Sequence, residues 1–357
     1  MPTIWCAISG HGFGHAAQVV PVLNELGRRI PGLTAIMRTT VSPSFFHDRL
    51  ALPWSRQSVQ QDVGCVQHGP LEIDVQATWD HHRQFHATWD ARLAAEEAAM
   101  ATATPSVILA DTPYLALSAG KQAGIPGVLL ASLTWNEILR SLDESDVDHA
   151  LVESIELAYQ DADVALRMAP GLPLSGMTNV VDIGPIAEPA PSRREELRSH
   201  LNVSASERLV LVGFGGIPLD TLPWDRMEWM KGYRFLVDGM PPRPSSRVHS
   251  FVGLPFSFKT ALASVDVVMT KPGYGTIVET VASGVPVVYV RRYNFAEEAP
   301  LVEFLHRYGA GSELTRHDFL SGNWQPAFEA LPSRTPAGRP RLTGAADAAE
   351  LLLPYFQ

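Results

Sequence analysis

Short apolar segments alternate with amphipathic segments along the first half of the chain. Four of the apolar segments have the length and composition of buried strands, and they are residues 4–9, 34–40, 106–110 and 127–131. Between them, residues 16–29 carry apolar positions at helical spacing, and residues 114–123 show a similar pattern that ends at Gly124. Strands that alternate with helices predict a parallel sheet with helices on both faces.

The second half of the chain repeats this scheme. Its strand-like segments are residues 209–214, 234–237, 248–252, 265–270 and 285–290. Helices are predicted over residues 258–264 and 275–283, which lie between them. We therefore predict an α/β protein with two doubly wound, Rossmann-like domains and a cleft between the domains.

The domain limits follow from a change in composition. Residues 188–208 are rich in Pro, Ser, Arg and Glu and separate the two repeats, so we expect them to form a linker. The N-terminal domain then comprises residues 1–187 and the C-terminal domain residues 209–342. The last segment, 343–357, is amphipathic, and we expect a helix that packs back on the first domain. A length of 357 residues agrees with two domains, because single cores rarely grow so large.

Charge and composition narrow the class of partner. The net charge of −10 disfavours binding along a nucleic-acid backbone, which requires an excess of Lys and Arg. Cys6 and Cys65 are the two cysteines and support neither a disulfide framework nor a cysteine zinc site. The N-terminus lacks the basic segment of a signal peptide, and no apolar stretch reaches the roughly 20 residues that span a membrane. We expect a cytoplasmic monomer or homodimer.

The strongest local pattern is the Lys-Pro-Gly-Tyr-Gly-Thr run at residues 271–276, where a strand ends and a helix begins. The free N–H groups of a helix start attract anions. Gly273 and Gly275 allow close approach to the main chain, Thr276 offers a hydroxyl and Lys271 adds a charge. We include Tyr274 from the same run, and together these residues predict a site for a diphosphate.

Glu279 lies one helical turn beyond Thr276, at a position from which a carboxylate can accept hydrogen bonds from two ribose hydroxyls. Ordinary helix capping and compensation of the helix dipole would explain both residues equally well. The sequence leaves this alternative open.

Two further segments end strands of the second domain. The turn at residues 213–216 contains Gly215 and Gly216, which permit close approach of a ligand or form a plain tight turn. The segment 291–298 holds Arg291, Glu297 and Glu298 at the carboxyl end of a strand, where open α/β sheets bind ligands. Its acidic residues can accept sugar hydroxyls and its arginine can bind phosphate. A solvated charged loop remains the alternative.

Two histidines, His11 and His15, lie in the glycine-rich loop after the first strand. Transfer of a group from such a diphosphate ligand to a hydroxyl requires a base with a near-neutral pKa, so we take His15 as the first candidate and His11 as the second. The positive end of the helix dipole should lower the pKa of His15. The loop also fits a dinucleotide-binding pattern, but the second strand ends without the expected acidic residue. Arg38 leaves an NADP enzyme as a remote alternative.

Two other polar patterns are weaker. His82 and His86 are four residues apart on a predicted helix, but no third metal ligand is evident, so we favour a solvated or acceptor-lining helix. The Asp146-Val-Asp148 pattern resembles the acidic motif of metal-dependent transferases, yet it lies in an acidic run that favours a surface face. We predict no metal site.

Together these motifs resemble the glycosyltransferases of GT-B fold. The resemblance is closest to the glycosyltransferase-like N-terminal portion of arabinokinases and related bacterial proteins, and more distant to the peptidoglycan N-acetylglucosaminyltransferase group. The matching stretches are residues 8–15, 132–136, 167–173, 181–184, 212–216, 271–279, 289–292 and 297–298. They are distributed over nearly the whole chain.

The resemblance implies that the C-terminal domain binds a nucleoside diphosphate sugar, with Gly273, Thr276 and Glu279 among the binding residues. It places the acceptor at the N-terminal loop, and we add Gly12, Phe13, Gly14 and Trp135 as acceptor-binding candidates. It also implies catalysis without a metal or other cofactor, the nucleotide sugar being a co-substrate, and often with inversion. No further Gly- and Ser-rich phosphate loop follows up to Gln357, so we expect no sugar kinase activity.

The sequence thus favours a hexosyl- or N-acetylhexosaminyltransferase that uses a nucleoside diphosphate sugar, with UDP favoured, and an unidentified small-molecule acceptor. A non-catalytic nucleotide-sugar-binding protein is one alternative. A nucleotide-sugar epimerase or hydrolase of the same architecture is another.

Overall fold

The computed structural model describes residues 1–142, 147–215, 222–332 and 338–357. The first domain contains a seven-stranded sheet whose strands all run parallel. The strands are β1 (Thr3–Ile8), β2 (Thr34–Arg38), β3 (Trp54–Gln57), β4 (Val107–Asp111), β5 (Gly127–Ala131), β6 (Val164–Met168) and β7 (Val180–Ile183). Their spatial order is β3-β2-β1-β4-β5-β6-β7. The central strands are apolar along their whole length because helices cover both faces of the sheet.

The helices of the first domain connect these strands. They are α1 (Gly14–Arg29), α2 (Pro43–His47), α3 (Val75–His86), α4 (Trp89–Ala103), α5 (Leu115–Ala123), α6 (Trp135–Leu142) and α7 (His149–Tyr159). Helix α5 ends at Gly124, as the sequence predicts, because this glycine adopts the left-handed conformation with φ of 68°.

The second domain contains a six-stranded parallel sheet of order β10-β9-β8-β11-β12-β13. Its strands are β8 (Arg208–Val212), β9 (Tyr233–Val237), β10 (Val248–Ser250), β11 (Val267–Thr270), β12 (Val287–Tyr289) and β13 (Gly311–Glu313). Its helices are α8 (Arg194–His200), α9 (Trp224–Trp229), α10 (Phe258–Leu262), α11 (Tyr274–Ser283), α12 (Glu298–Tyr308), α13 (Arg316–Ser321) and α14 (Gln325–Glu329). The predicted fold class, two doubly wound α/β domains, is confirmed.

Helix α8 lies inside the segment that we expected to be a linker. Its Arg194 and Arg198 pair with Asp266, and its Leu197 is buried in the core beneath the second sheet. Residues 194–200 therefore pack with the second domain, because Arg194, Leu197 and Arg198 make these contacts there.

The chain ends in helix α15 (Gly344–Leu352) and a 3₁₀ turn (Leu353–Phe356), which lie on the first domain. Helix α15 packs against α1 and β7, and the backbone N–H of Gly184 donates to Asp347 at 3.0 Å. Helices α1 and α11 also pack together, and one hydrophobic core runs from the first sheet into the second domain. The two domains are thus joined by apolar packing behind the cleft.

In both sheets the strand order reverses next to the first strand of the domain. The reversal lies between β1 and β4 in the first sheet and between β8 and β11 in the second. Open α/β sheets bind ligands at the carboxyl ends of such neighbouring strands. The first reversal lies beside the histidine loop and Asp111, and the second lies beside Gly215 and Lys271.

Candidate functional site

The carboxyl edges of the two sheets face each other across the cleft. Ser132, which follows β5, donates to Oε1 of Glu297 in the other domain at 2.7 Å. Helices α1 and α11 begin on opposite sides of this cleft, and neither start has a side-chain cap. A methyl group added to Gly12, Gly14, Gly273 or Gly275 would meet no atom within 4 Å. Both helix starts therefore present free N–H groups to open space.

On the side of the first domain, His15 is paired with Asp111. Its Nδ1 atom lies 2.9 Å from Oδ1 of Asp111 and 3.2 Å from Oγ1 of Thr112. Because a carboxylate only accepts, Nδ1 carries the proton and Nε2 is left with a free lone pair. Nε2 makes no hydrogen bond among the described residues, and the side chain keeps 11% of its exposure. His15 is arranged to accept a proton from a molecule in the cleft.

The pKa of His15 is shifted in the direction opposite to the one expected from the sequence. Burial lowers the pKa of His15, but the hydrogen bond and charge of Asp111, with the charges of Asp62 and Glu297, raise it above its usual value. The expectation that the helix dipole lowers this pKa is wrong, because buried carboxylates close to the ring act more strongly.

His11 is less buried than His15 but is a poorer base. Its ring packs edge-on against Trp135, with centroids 5.6 Å apart, and its Nε2 contacts Nε2 of Gln67 at 3.2 Å. Burial, together with the positive charges of His15, Lys271 and Arg292, lowers the pKa of His11 to about 3. The geometry favours His15 over His11 as the proton acceptor.

The candidate residues for acceptor binding differ in how far they are buried. Phe13 is 53% exposed and stacks on Phe45 at 5.4 Å, so it forms part of the rim of the cleft. Gly12 and Gly14 border the open space beside it. Trp135 is fully buried, and its indole N–H donates to Asp62 at 2.7 Å. The structure corrects the expectation that Trp135 binds the acceptor. Its ring packs near the rings of His11 and His15 and has no surface open to an acceptor.

On the side of the second domain, Lys271 follows β11 and points toward the turn at Gly215, whose φ is 75°. Burial, reinforced by the guanidinium of Arg292, lowers the pKa of Lys271 to about 7. Gly273 and Gly275 border open space at the start of α11, and Thr276 lies in its first turn. This is the arrangement expected of an anion site. Gly216 lies outside the described residues.

Glu279 is buried in α11, and its Oε1 lies 2.9 Å from Nζ of Lys259 in α10. Burial raises the pKa of Glu279, while the ammonium of Lys259 opposes this effect. Lys259 was not singled out from the sequence. The carboxylate of Glu279 lies near the start of α11, as expected. A ribose hydroxyl that binds it would have to share the carboxylate with the ammonium of Lys259.

The structure corrects the expectation that Tyr274 binds the donor. Its side chain is buried between the domains, where the hydroxyl donates to the carbonyl of Ala169 at 3.0 Å and accepts from the N–H of Ile186 at 3.0 Å. Both hydrogen-bonding capacities of the hydroxyl are thus used in holding the first domain to α11.

The two acidic residues after β12, Glu297 and Glu298, have different contacts. Glu298 is fully buried and accepts from the N–H and Nε of Arg292 at 2.9 and 2.7 Å, so it organises its own loop. Its assignment to the donor site is therefore corrected. Glu297 faces the other domain through Ser132, and Arg291 lies over the ring of Tyr293 at the edge of the site.

Three residues of the two weaker polar patterns, His82, His86 and Asp148, lie in the part of the chain that the structure describes. His82 is fully buried beside Trp135, with ring centroids 6.4 Å apart, so it is neither solvated nor open to an acceptor. His86 bonds the hydroxyl of Tyr114, and Asp148 caps α7. Asp146 lies outside the described residues. Over the parts of the chain that the structure describes, no three His, Cys, Asp or Glu side chains gather closely enough to hold a metal ion.

Asp111, Asp62 and Ser132 are site residues that sequence reasoning missed. Asp111 had a usable signal, because it is a carboxylate at the end of an apolar strand next to the strand of the histidine loop. Asp62 had no such signal, since it lies in a long loop whose sequence shows neither helical nor strand periodicity. Only the fold places it near His15.

No protein-family model matches the chain. It is 28% identical over 360 residues to an L-arabinokinase of Arabidopsis thaliana, an alignment that covers 97% of this chain. The chain spans about a third of the length of that relative, since the alignment covers 33% of it.

Solved glycosyltransferases have the same fold. UGT2 of Phytolacca americana, solved with UDP-2-fluoro-glucose and pterostilbene, superimposes with a TM-score of 0.64 at 14% identity, covering 99% of this chain and 94% of that one. The calicheamicin glycosyltransferase CalG4 gives a TM-score of 0.65 at 18% identity, covering 99% and 98%. The chain therefore has the GT-B architecture. No helix in the described ranges is long and apolar enough to cross a membrane.

Proposed function

We propose that this protein is a glycosyltransferase that moves a sugar from a nucleoside diphosphate sugar, with UDP-sugars favoured, to a small-molecule acceptor. The observation that carries the proposal is the position of His15 with Asp111 across the cleft from Lys271 and the uncapped start of α11. One side supplies a base and the other an anion site. The similarity to solved UDP-sugar transferases supports the same assignment.

In the proposed reaction, the acceptor hydroxyl binds at the rim formed by Gly12, Phe13 and Gly14. Nε2 of His15 takes the proton of the hydroxyl while its oxygen attacks the anomeric carbon of the sugar. Asp111 stabilises the imidazolium that forms, because its carboxylate is hydrogen-bonded to Nδ1. The proton later passes to solvent.

The bond between the anomeric carbon and the β-phosphate oxygen breaks as the new bond forms. Negative charge then grows on the leaving diphosphate, where the N–H groups of Gly275 and Thr276 and the ammonium of Lys271 stabilise it. These groups replace a metal ion in the proposal. Glu279 binds the ribose, and Glu297 offers its second oxygen to a hydroxyl of the sugar.

We propose inversion, because the acceptor oxygen attacks the anomeric carbon directly while the diphosphate leaves, with no covalent intermediate between the sugar and the protein. In this proposal the acceptor approaches from the face of the sugar opposite the leaving diphosphate. A single displacement of this kind inverts the anomeric carbon.

A thermal-shift screen against UDP-, GDP- and dTDP-sugars tests the donor assignment. A ligand at a hundred times its Kd should stabilise the fold by about 2.7 kcal/mol. Release of nucleoside diphosphate in the presence of an acceptor library then tests transfer, and NMR of the product gives its anomeric configuration. Failure to bind any nucleotide sugar would refute the proposal.

Two outcomes of the same assays distinguish the alternatives. Donor binding without turnover on any acceptor would indicate a nucleotide-sugar-binding protein. Consumption of the donor in the absence of acceptor would indicate an epimerase or hydrolase.

A further inference from the structure

Asp62 is a buried carboxylate in the loop that follows β3. Both of its hydrogen bonds among the described residues come from neutral groups. Oγ of Ser9 donates to Oδ1 at 3.1 Å, and Nε1 of Trp135 donates to Oδ2 at 2.7 Å. A buried carboxylate without a cationic partner is costly, so its presence calls for a reason.

The hydrogen-bond pattern around Asp62 suits the ionised form. The indole N–H of Trp135 can only donate, so Oδ2 must accept. Oγ of Ser9 accepts from the backbone N–H of His11 at 3.3 Å, which leaves its own hydrogen for Oδ1. Both carboxyl oxygens are therefore acceptors. Burial raises the pKa of Asp62, and these two hydrogen bonds and the charge of His15 oppose that rise.

The partners of Asp62 also adjoin the base. The backbone N–H of Ser9 donates to the carbonyl of Asp111 at 2.9 Å. The ring of Trp135 lies 6.4 Å from the ring of His15, centroid to centroid. The same two residues that hold Asp62 thus connect it to the pair formed by His15 and Asp111.

We propose that Asp62 is a positioning residue of the transfer reaction, and that its carboxylate, held by Ser9 and Trp135, acts with Asp111 to stabilise His15 in its protonated form. This inference rests on the proposed function, because it concerns the same base. It also gives Trp135 a role, since its indole fixes the carboxylate while its ring supports the imidazole.

The charges around His15 come from several elements. Asp111 ends β4, Asp62 lies in the loop after β3, and Glu297 precedes α12 in the other domain. His11, from the same loop as His15, is neutral at ordinary pH because its pKa is lowered to about 3. Removing Asp62 leaves Asp111 and Glu297 in place, so the effect on His15 should be partial.

The test replaces Asp62 by the neutral isostere in Asp62→Asn and follows the ring of His15 by NMR titration, assigned with His15→Gln. The titration midpoint should move to lower pH in Asp62→Asn. Because His15 must be unprotonated to act as a base, the acid limb of the pH–rate profile should move to lower pH as well. On the plateau, kcat should fall about tenfold, since the imidazolium is less stabilised. An unmoved midpoint would overturn the proposal.

The matched control is Asp90→Asn, which removes a carboxylate charge at an exposed position of α4 and leaves the hydrogen bonds of Asp62 intact. Its acid limb should stay near that of the wild type, whereas equal shifts in both variants would overturn the proposal, because they would show an effect of net charge alone. If Asp62→Asn does not fold, Asp62→Ser provides a smaller neutral variant for the same titration. The NMR midpoint requires no turnover, so it tests Asp62 even if no glycosyl transfer is found.

Discussion

His15 and Asp111 are held 2.9 Å apart by two elements that are distant in sequence, the start of α1 and the end of β4. The contact arises because β1 and β4 are neighbours in the sheet, so that the residues following them meet at one edge. It orients the imidazole with Nε2 toward the cleft.

Replacing His15 by Ala should reduce turnover by about 10²- to 10⁴-fold, because the reaction loses its general base. Donor affinity should remain within a factor of two or so, since the donor site lies on the other domain. Steady-state kinetics with isothermal titration of the donor would measure both. His81→Ala, at an exposed position on α3, is the control. A His15→Ala enzyme with normal kcat would refute the assignment.

Donor binding should weaken above neutral pH because of Lys271. In the free protein its pKa is about 7, since burial and Arg292 disfavour the charge. A bound diphosphate favours the charged form, so binding takes up a proton once the pH exceeds this value. Affinity should be constant below about pH 7 and fall by up to tenfold per unit above it. Calorimetric titrations from pH 6 to 9 would test this.

Two variants of Lys271 make that test specific. Lys271→Arg keeps its charge at every pH, so its donor affinity should lose most of the pH dependence. Lys271→Met should bind weakly at all pH values. A pH dependence that survives in both variants would show that another group is responsible.

Glu279→Gln should weaken donor binding by about ten- to a hundredfold, the effect of losing hydrogen bonds to a charged acceptor. Wild-type protein should also prefer UDP over 2′-deoxy-UDP, and the variant should lose this preference because the ribose contact is gone. Glu153→Gln, an exposed change on α7, is the matched control. If the variant kept the preference for the 2′-hydroxyl, Glu279 would not bind the ribose.

Tyr274→Phe should lower stability without impairing the donor site. The change leaves the buried N–H of Ile186 and carbonyl of Ala169 unpaired, at a cost of about 1–3 kcal/mol. Denaturant unfolding would measure the loss, and Tyr308→Phe is the control because its hydroxyl makes no hydrogen bond among the described residues. A marked loss of donor affinity at unchanged stability would restore Tyr274 to the donor site.

The proposed donor side was visible in the sequence because its residues are close together along the chain. Lys271, Gly273 and Thr276 lie within one strand-to-helix turn, and such a turn has the same local geometry wherever it occurs. The sequence could not show that Tyr274, in the same turn, points to the other domain. That direction depends on how α11 packs.

Some of the elements that the sequence left unassigned lack a recognisable local pattern. Strands β3 and β7 are four residues long, lie at the edges of the sheet and are only partly buried, so they lack a continuous apolar pattern. Helix α8 was assigned to the linker because its Arg and Glu residues appear polar in sequence. Only the packed structure shows that its arginines pair with Asp266.

By itself, the sequence determined the two α/β repeats, the glycine turns and the histidine loop, because each depends on interactions between residues near one another in the chain. The tertiary structure alone decided which polar side chains meet. It paired His15 with Asp111, Glu279 with Lys259 and Glu298 with Arg292, and it buried Asp62 and Trp135 beneath the base. Most of these contacts depend on strand order and domain packing, which bring together residues that no local pattern connects.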